Sequence, residues 1–163
     1  MLGHVKTKVM REIEFKAKRV DDGAWVYGSY TAMREDDHNE CFRTKPHKIY
    51  HRIWQWESGD WNMGGYANYE VIPETVCQWT GLLDKQGVKI FEGDIVIFGK
   101  LFTAIKYFEK YGMFGLVGKS NYREFDENEP MGSGGSSTSY KPYVLSEYYQ
   151  KRIEVVGNIH DNR

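Results

Sequence analysis

Four side chains of the types that bind zinc lie close together in the first third of the chain, at His38, Cys41, His47 and His51. A structural zinc ion takes four nitrogen or sulfur ligands that converge on one point. His47 and His51 border a stretch of β-forming residues, and four residues of straight strand span roughly 13 Å. That separation argues against a shared ion. We therefore predict scattered surface histidines, with no bound metal and no cofactor.

Residues 115–120 read G-L-V-G-K-S and end like a phosphate-binding loop. That motif requires glycine where this chain has Met113, and it joins a strand to a helix. The residues that follow, Asn121-Tyr122-Arg123, show no helical period. We interpret the match as a chance one.

Acidic residues also occur in pairs, with Glu92 and Asp94 on either side of a glycine and Glu74 and Asp84 nearby in sequence. Paired carboxylates serve acid–base catalysis when they act on a positioned reacting group. The sequence supplies no matched nucleophile or electrophilic partner. Turn-forming aspartates and solvent-facing glutamates explain the pattern more simply. We predict that the protein is not an enzyme and has no catalytic residues.

An aromatic stretch is the strongest candidate for a binding surface. Residues 49–56 alternate in character, so a strand here would place Tyr50, Arg52, Trp54 and Trp56 on one face. Three cations precede Tyr50 in the sequence: Arg43, Lys45 and Lys48. Rings interleaved with cations hold single-stranded nucleic acid by stacking, but the same residue types dominate protein interfaces and also pack in cores. The formal net charge of −1 favours an interface or core over nucleic acid.

The length and composition of the chain limit the number of domains, the class of fold and the cellular compartment. A chain of 163 residues suits one domain, or one domain with a small appended piece. The aromatic content of 15% favours strands. Cys41 and Cys77 are far apart and fit a reducing compartment. No apolar run approaches the ~20 residues of a membrane span, and the first residues lack a signal-peptide core. We expect no membrane association and a cytoplasmic location in a bacterial host.

The hydrophobic pattern predicts a mostly β fold with at most one short helix. Asp22-Gly23 lies between two β-like runs and predicts an N-terminal hairpin. Residues 33–40 and 57–68 are predicted as loop and turn, and a helix is predicted to begin after Ser146. Predicted strands cover residues 11–17, 25–27, 49–56, 76–82, 88–91, 95–98, 102–108, 113–117 and 152–159. The fourth to sixth of these, joined by tight turns, predict a meander of the kind found in small barrels.

Three separate segments resemble one family. Residues 72–98 contain the pattern P-E-T-V-x-Q-x-T-G-L-x-D-K-x-G-x-x-I-x-E-G-D-I-V, residues 10–17 read M-R-E-I-E-F-K-A, and residues 153–162 read I-E-V-V-G-N-I-H-D-N. Together they closely resemble the YopX family of phage and prophage proteins. The resemblance implies an all-β core related to SH3-like barrels, a phage or prophage origin and a tendency to self-associate. It implies no activity.

The motif residues look structural rather than functional. Pro73 begins the segment where a missing N–H is harmless, and four glycines are expected to adopt positive φ at turns or bulges. The full set is Pro73, Gly81, Asp84, Gly87, Glu92, Gly93, Asp94, Gly157 and Asn158. The predicted organisation is a disordered extension over residues 1–9, a β subdomain over 10–72, and a small barrel or pseudobarrel core over 73–163. The Ser/Gly-rich residues 131–139 form a flexible loop within that core.

These observations predict an accessory protein that acts by self-association and by binding a host or phage macromolecule. The alternative is a module that binds single-stranded nucleic acid through the face at Tyr50–Trp56.

Overall fold

The computed structural model describes residues 12–34, 48–59, 64–118 and 143–161. The strands are β1 (Phe15–Lys18), β2 (Trp25–Arg34), β3 (Ile49–Glu57), β4 (Gly65–Glu70), β5 (Cys77–Leu83), β6 (Lys89–Phe91), β7 (Asp94–Phe98), β8 (Leu101–Phe108), β9 (Met113–Gly118), β10 (Tyr143–Val144) and β11 (Ile153–Asn158). One short helix, α1 (Glu147–Gln150), precedes the last strand. Single turns of 3₁₀ helix lie at Pro73–Thr75 and Glu109–Tyr111.

The strands form two antiparallel sheets. The first has the order β4-β3-β2-β1-β5-β6 and the second has the order β10-β9-β8-β7-β11. The predicted mostly β class is confirmed, and the described residues contain one short helix, within the predicted limit. Neither sheet closes into a barrel among the described strands, and the SH3-like geometry stays a prediction. The first sheet combines strands from both sides of residue 72, because β1 pairs with β2 and also with β5. The predicted boundary between a β subdomain over residues 10–72 and a core over residues 73–163 also stays a prediction.

The predicted N-terminal hairpin is confirmed. β1 and β2 pair antiparallel from Phe15 opposite Gly28 to Lys18 opposite Trp25. The Asp22 carboxylate accepts a hydrogen bond from the Ala24 N–H at 2.9 Å, and Gly23 has a φ of 71°. This is the backbone conformation that aspartate and glycine favour at such turns.

The predicted meander is wrong in one respect. β5 and β6 belong to the first sheet, whereas β7 pairs with β8 and β11 in the second. The chain changes sheets at Gly93, whose φ is 75° and whose N–H donates to the Ile105 C=O of β8 at 2.8 Å. The Asp94 carboxylate then accepts the Phe91 N–H at 2.8 Å, which closes the turn. These bonds direct the chain into a second sheet instead of back along β6.

Two loop predictions are also wrong. Residues 65–68, predicted as turn, belong to β4, and β2 continues through Met33 and Arg34 into the predicted loop. Six residues of β4 pair with β3 and six residues of β2 pair with its other side. Pairing on both sides of the aromatic strand β3 therefore outweighs the local turn preference of glycine and asparagine.

Three apolar clusters form the core. The largest brings β6 of the first sheet against the second sheet and the α1 region, and its buried members are Ile90, Val96, Ile105, Leu116, Leu145 and Ile153. A second cluster packs Ala17, Val26, Ile53 and Val71 within the first sheet. A third, Ala104, Phe108 and Val117, includes the partly buried Ile159. The final strand therefore helps to cover the centre of the molecule, as β11 pairs with β7.

The motif glycines behave as predicted at three of four positions. Gly81, Gly87 and Gly93 have φ values of 87°, 85° and 75°. Gly157 does not adopt positive φ, so that prediction is wrong. It lies instead where the β11–β7 register shifts, and a Cβ added there would approach the Asp161 Oδ2 to 3.2 Å. Pro73 is the first residue of a 3₁₀ turn, where no N–H is needed.

Asp84 ties the β5–β6 turn to the last strand. Its Oδ1 accepts the N–H groups of Gln86 and Val88 at 2.8 and 2.9 Å, and its Oδ2 accepts the N–H of Val155 at 3.0 Å. Burial acts to raise the pKa of this carboxyl, but the backbone donors outweigh burial and leave the pKa below its ordinary value. The predicted turn role of Asp84 is confirmed, and the carboxylate also joins the two sheets.

We expect Asp84→Ala to lower the free energy of unfolding by about 3 kcal/mol at neutral pH, because three backbone donors lose a charged acceptor. Since the folded-state pKa is depressed, the stabilisation is present above the unfolded-state pKa and is lost as pH falls through the folded-state value. Urea unfolding at pH 7 and at pH 2.5 should show a smaller difference at the lower pH. Asp22→Ala, which removes an exposed turn carboxylate, should cost about 1 kcal/mol or less. Equal losses for the two variants would contradict the assignment.

Candidate binding surface

One face of the β2–β3–β4 region carries the predicted aromatic residues. Residues directly opposite one another in antiparallel strands project from the same side of the sheet. Tyr50 lies opposite Met33, Arg52 lies between Thr31 and Glu70, and Trp56 lies opposite Tyr66. The outer face is defined here by these residues with Ser29, Trp54 and Asn68.

Exposure separates this outer face from the opposite side of the same strands. Ile53, on the opposite side, is fully buried in the second apolar cluster. On the outer face, Trp56 is 58% exposed, Tyr66 is 68% exposed and Met33 is 47% exposed. Tyr50, Arg52 and Trp54 are half-buried. Core packing, one of the three explanations offered by the sequence, therefore does not account for Trp56.

Specific contacts hold the outer-face side chains in place. The Trp54 indole N–H donates to Thr31 Oγ1 at 3.1 Å. The rings of Trp56 and Tyr66 meet edge to face, with centroids 5.1 Å apart and planes at 75°. Such aromatic pairs contribute about 0.5–1.5 kcal/mol beyond their buried area. The two most exposed rings on the face therefore support one another.

Cations lie against the first ring of the stretch. Lys48 Nζ is 4.4 Å from the centroid of the Tyr50 ring, and Arg52 Cζ is 5.4 Å from it. Lys48 Nζ also lies 3.8 Å from Glu70 Oε1. The outer face thus carries Arg52 with Lys48 at its end, partly balanced by Glu70. Arg43 and Lys45, the other two predicted cations, lie outside the described residues.

The other candidate motifs gain no supporting geometry. His51 Nδ1 lies 2.6 Å from the Tyr30 hydroxyl, and the two rings stack. His38, Cys41 and His47 lie outside the described residues. The part of the chain that the structure describes contains no group of three or more potential metal ligands. Gly115 and Gly118 belong to β9, while Lys119 and Ser120 are not among the described residues.

A buried polar cluster, not foreseen from the sequence, lies between the two sheets. Lys16 Nζ of β1 lies 2.5 Å from Asp94 Oδ1 of β7. The Asn158 amide of β11 donates to the same Oδ1 at 2.9 Å. Lys16 Nζ also lies 4.9 Å from the ring centroids of both Trp25 and Phe91. All three polar side chains are buried, and they come from the three separate segments that carry the sequence motif.

Electrostatics in this cluster favour a structural role. Burial raises the pKa of Asp94, and Lys16 and Asn158 act in the opposite direction without cancelling the effect of burial. Burial also raises the pKa of the nearby Cys77 thiol to about 12. A thiol with that pKa is not a thiolate near neutral pH and is a poor nucleophile.

The sequence-based description of the acidic pairs needs correction. Asp94 is fully buried, and Glu92 is half-buried with its Oε1 accepting the Tyr107 N–H at 3.2 Å. Burial raises the pKa of the Glu92 carboxyl. The expected solvent-facing arrangement holds for Glu74 but is wrong for Glu92. The side chain that pairs with Asp94 is Lys16. The two residues are 78 positions apart in sequence, so no local pattern indicates that they meet.

We expect Asp94→Ala to lower the free energy of unfolding by about 3–5 kcal/mol, because it leaves the Lys16 ammonium buried without a counter-ion. The double variant Lys16→Met with Asp94→Leu should lose less, since both charges are removed together. Chemical denaturation measures both. The surface pair between Lys85 and Glu154, at 2.7 Å, is the control, and Lys85→Ala should cost less than about 1 kcal/mol. A double variant that loses as much stability as Asp94→Ala, or more, would contradict a coupled pair.

The described helix, α1, has four residues and is far shorter than the ~20 residues needed to cross a bilayer, so the described residues contain no helix able to span a membrane.

No curated protein matches the chain at a significant level. A family model does match: the model described as YopX protein aligns with residues 14–163, which is nearly the whole chain. The match includes β1, the segment around Asp94 and the final strand with Asn158. The chain therefore belongs to the YopX family.

Proposed function

We propose that this YopX-family chain is a phage- or prophage-encoded accessory protein that acts by binding, first to a second copy of itself and then to another macromolecule. The observation that carries the proposal is the outer face of β2–β3–β4, where Trp56 and Tyr66 each expose more than half of their surface. Exposed rings at this density mark interaction surfaces, because Trp, Tyr and Arg supply most interface hot spots.

The polar groups of the described residues support binding better than catalysis. Lys16, Asp94 and Asn158 bond to one another in a buried site. Asp84 uses both carboxylate oxygens on backbone donors. These groups have structural partners, whereas the aromatic outer face presents side chains that are already held in place to solvent.

We expect the protein to self-associate at low micromolar concentration. Size-exclusion chromatography with light scattering should give a mass that is a multiple of 19.1 kDa. Trp56→Ala should weaken the association at least about tenfold, because an exposed ring of the interface is lost. Leu101→Ala, which removes a side chain that is 64% exposed in the second sheet, should leave the association unchanged. A clean monomer for the parent protein would contradict self-association.

A second candidate function is binding of single-stranded nucleic acid by the same outer face. The observation that favours it is the position of Lys48 and Arg52 against the Tyr50 ring. Alternate residues of β3 are spaced by about 6.7 Å along the strand, which is roughly twice the spacing of stacked bases. An extended single strand lying along β3, with its bases unstacked from one another, would place bases on the aromatic rings and its phosphate backbone beside the cations.

This candidate predicts salt-dependent binding of a labelled single-stranded oligonucleotide. Affinity should fall as salt rises from 50 to 200 mM, and Arg52→Ala should reduce the affinity and the salt dependence together. Arg152→Ala, which changes an exposed cation in the turn before β11, should have a smaller effect. Absence of binding at the lower salt, or binding that ignores salt, would exclude nucleic acid and leave protein as the partner.

A further inference from the structure

β4 is an edge strand of the first sheet, with β3 on one side and no described strand on the other. The direction of its backbone groups follows from the register. The Val71 N–H donates to the His51 C=O of β3 at 2.9 Å. In an antiparallel pair, alternate residues bond to the same neighbour. Ala67 and Tyr69 therefore direct their backbone groups to β3, and Tyr66 and Asn68 direct theirs away from the sheet.

One end of this edge is closed. The Glu70 C=O, which also points away from β3, accepts the Val20 N–H at 3.0 Å. No described residue bonds in this way to the outward groups of Tyr66 or Asn68. The open part of the edge therefore runs from Gly64 to Asn68 and ends where Val20 lies beside Glu70.

This open part lacks the features that usually prevent an edge strand from pairing with a strand of another molecule. Within Gly65–Glu70 the only charged residue is Glu70, at the closed end, and there is no proline. The register with β3 runs without a bulge from Gly65 to Glu70. Natural edges are usually protected by lysine, proline, bulges or short length. A second copy can thus approach the open edge without meeting a like charge.

Symmetry restricts how two such edges pair. A continuous antiparallel sheet made from two β4 strands requires a two-fold axis normal to the sheet, which keeps both outer faces on the same side. Opposed residues must share a face, so the axis passes through a residue and not between two. An axis at Asn68 or at Ala67 would set Tyr66 or Gly64, respectively, against Glu70, whose carbonyl is already bonded to Val20. An axis at Tyr66 sets Gly64 against Asn68 and leaves Glu70 free of the pairing.

We propose that two copies pair through β4, antiparallel, about a two-fold axis at Tyr66. The inference rests on the proposed self-association and names its site. The Tyr66 side chains of the two copies lie opposite each other, and each is supported by the Trp56 ring of its own copy. The two outer faces then form one surface, with four rings in a row at its centre and the cations of each copy at the two ends.

Cysteine crosslinking tests the register in the full chain. The background carries Cys41→Ser, and Cys77 is kept because it is buried. Paired residues of this type have Cα atoms about 5.5 Å apart, within the range of a disulfide. We expect Tyr66→Cys to form a covalent dimer under mild oxidation. Asn68→Cys is the matched control, since it lies two residues from the axis and roughly 13 Å from its copy. Dimers from Asn68→Cys with none from Tyr66→Cys would overturn the proposed register.

Charge substitution tests the same axis without oxidation. Because residue 66 faces itself, Tyr66→Lys alone and Tyr66→Glu alone should each shift the parent oligomer toward monomer in light scattering. A mixture of the two variants should restore the oligomer, since opposite charges then meet. A parent protein that is monomeric refutes the proposed self-association itself. A parent oligomer that both single variants leave intact refutes only the pairing through β4.

Discussion

The fold depends on one buried ion pair with its amide partner. Lys16, Asp94 and Asn158 come from β1, β7 and β11, so one contact joins the first sheet to two strands of the second. A buried ion pair is not a large net source of stability, because desolvation offsets most of the attraction. Its effect is specificity. A packing of the two sheets that buried Lys16 or Asp94 without its partner would cost several kcal/mol.

That cluster gives a physical reason for the family's sequence pattern. The three motif segments lie far apart along the chain, yet each contributes one polar group to the same site. Asp84 adds a second link of the same kind, between the β5–β6 turn and Val155 of the final strand. The motif therefore encodes the joint between two sheets. The outer face lies on other strands of the first sheet, β2, β3 and β4, where Trp56 and Tyr66 stay exposed to solvent.

Local signals in the sequence predicted much of the fold. Asp22-Gly23 identified the first hairpin, and alternation identified the aromatic strand β3 and placed Trp54 and Trp56 on one face. β4 was missed because Gly64, Gly65 and Asn68 resemble a turn, and only pairing with β3 makes them strand. The change of sheet at Gly93 was missed for a related reason, since a glycine turn has the same local sequence whether the chain returns to its sheet or leaves it. Lys16 was missed because its partner is distant in sequence.

The long separation of these partners has a consequence for folding kinetics. Lys16 meets Asp94 across 78 residues, and the Lys18 ammonium donates to the His160 C=O across 142 residues. The chain must lose the entropy of closing very large loops before such contacts contribute any stabilising free energy. Topologies of this kind fold slowly. During synthesis, β1 leaves the ribosome long before β11 exists. Asp94 follows with β7, but Asn158 completes the joint only when the last strand emerges.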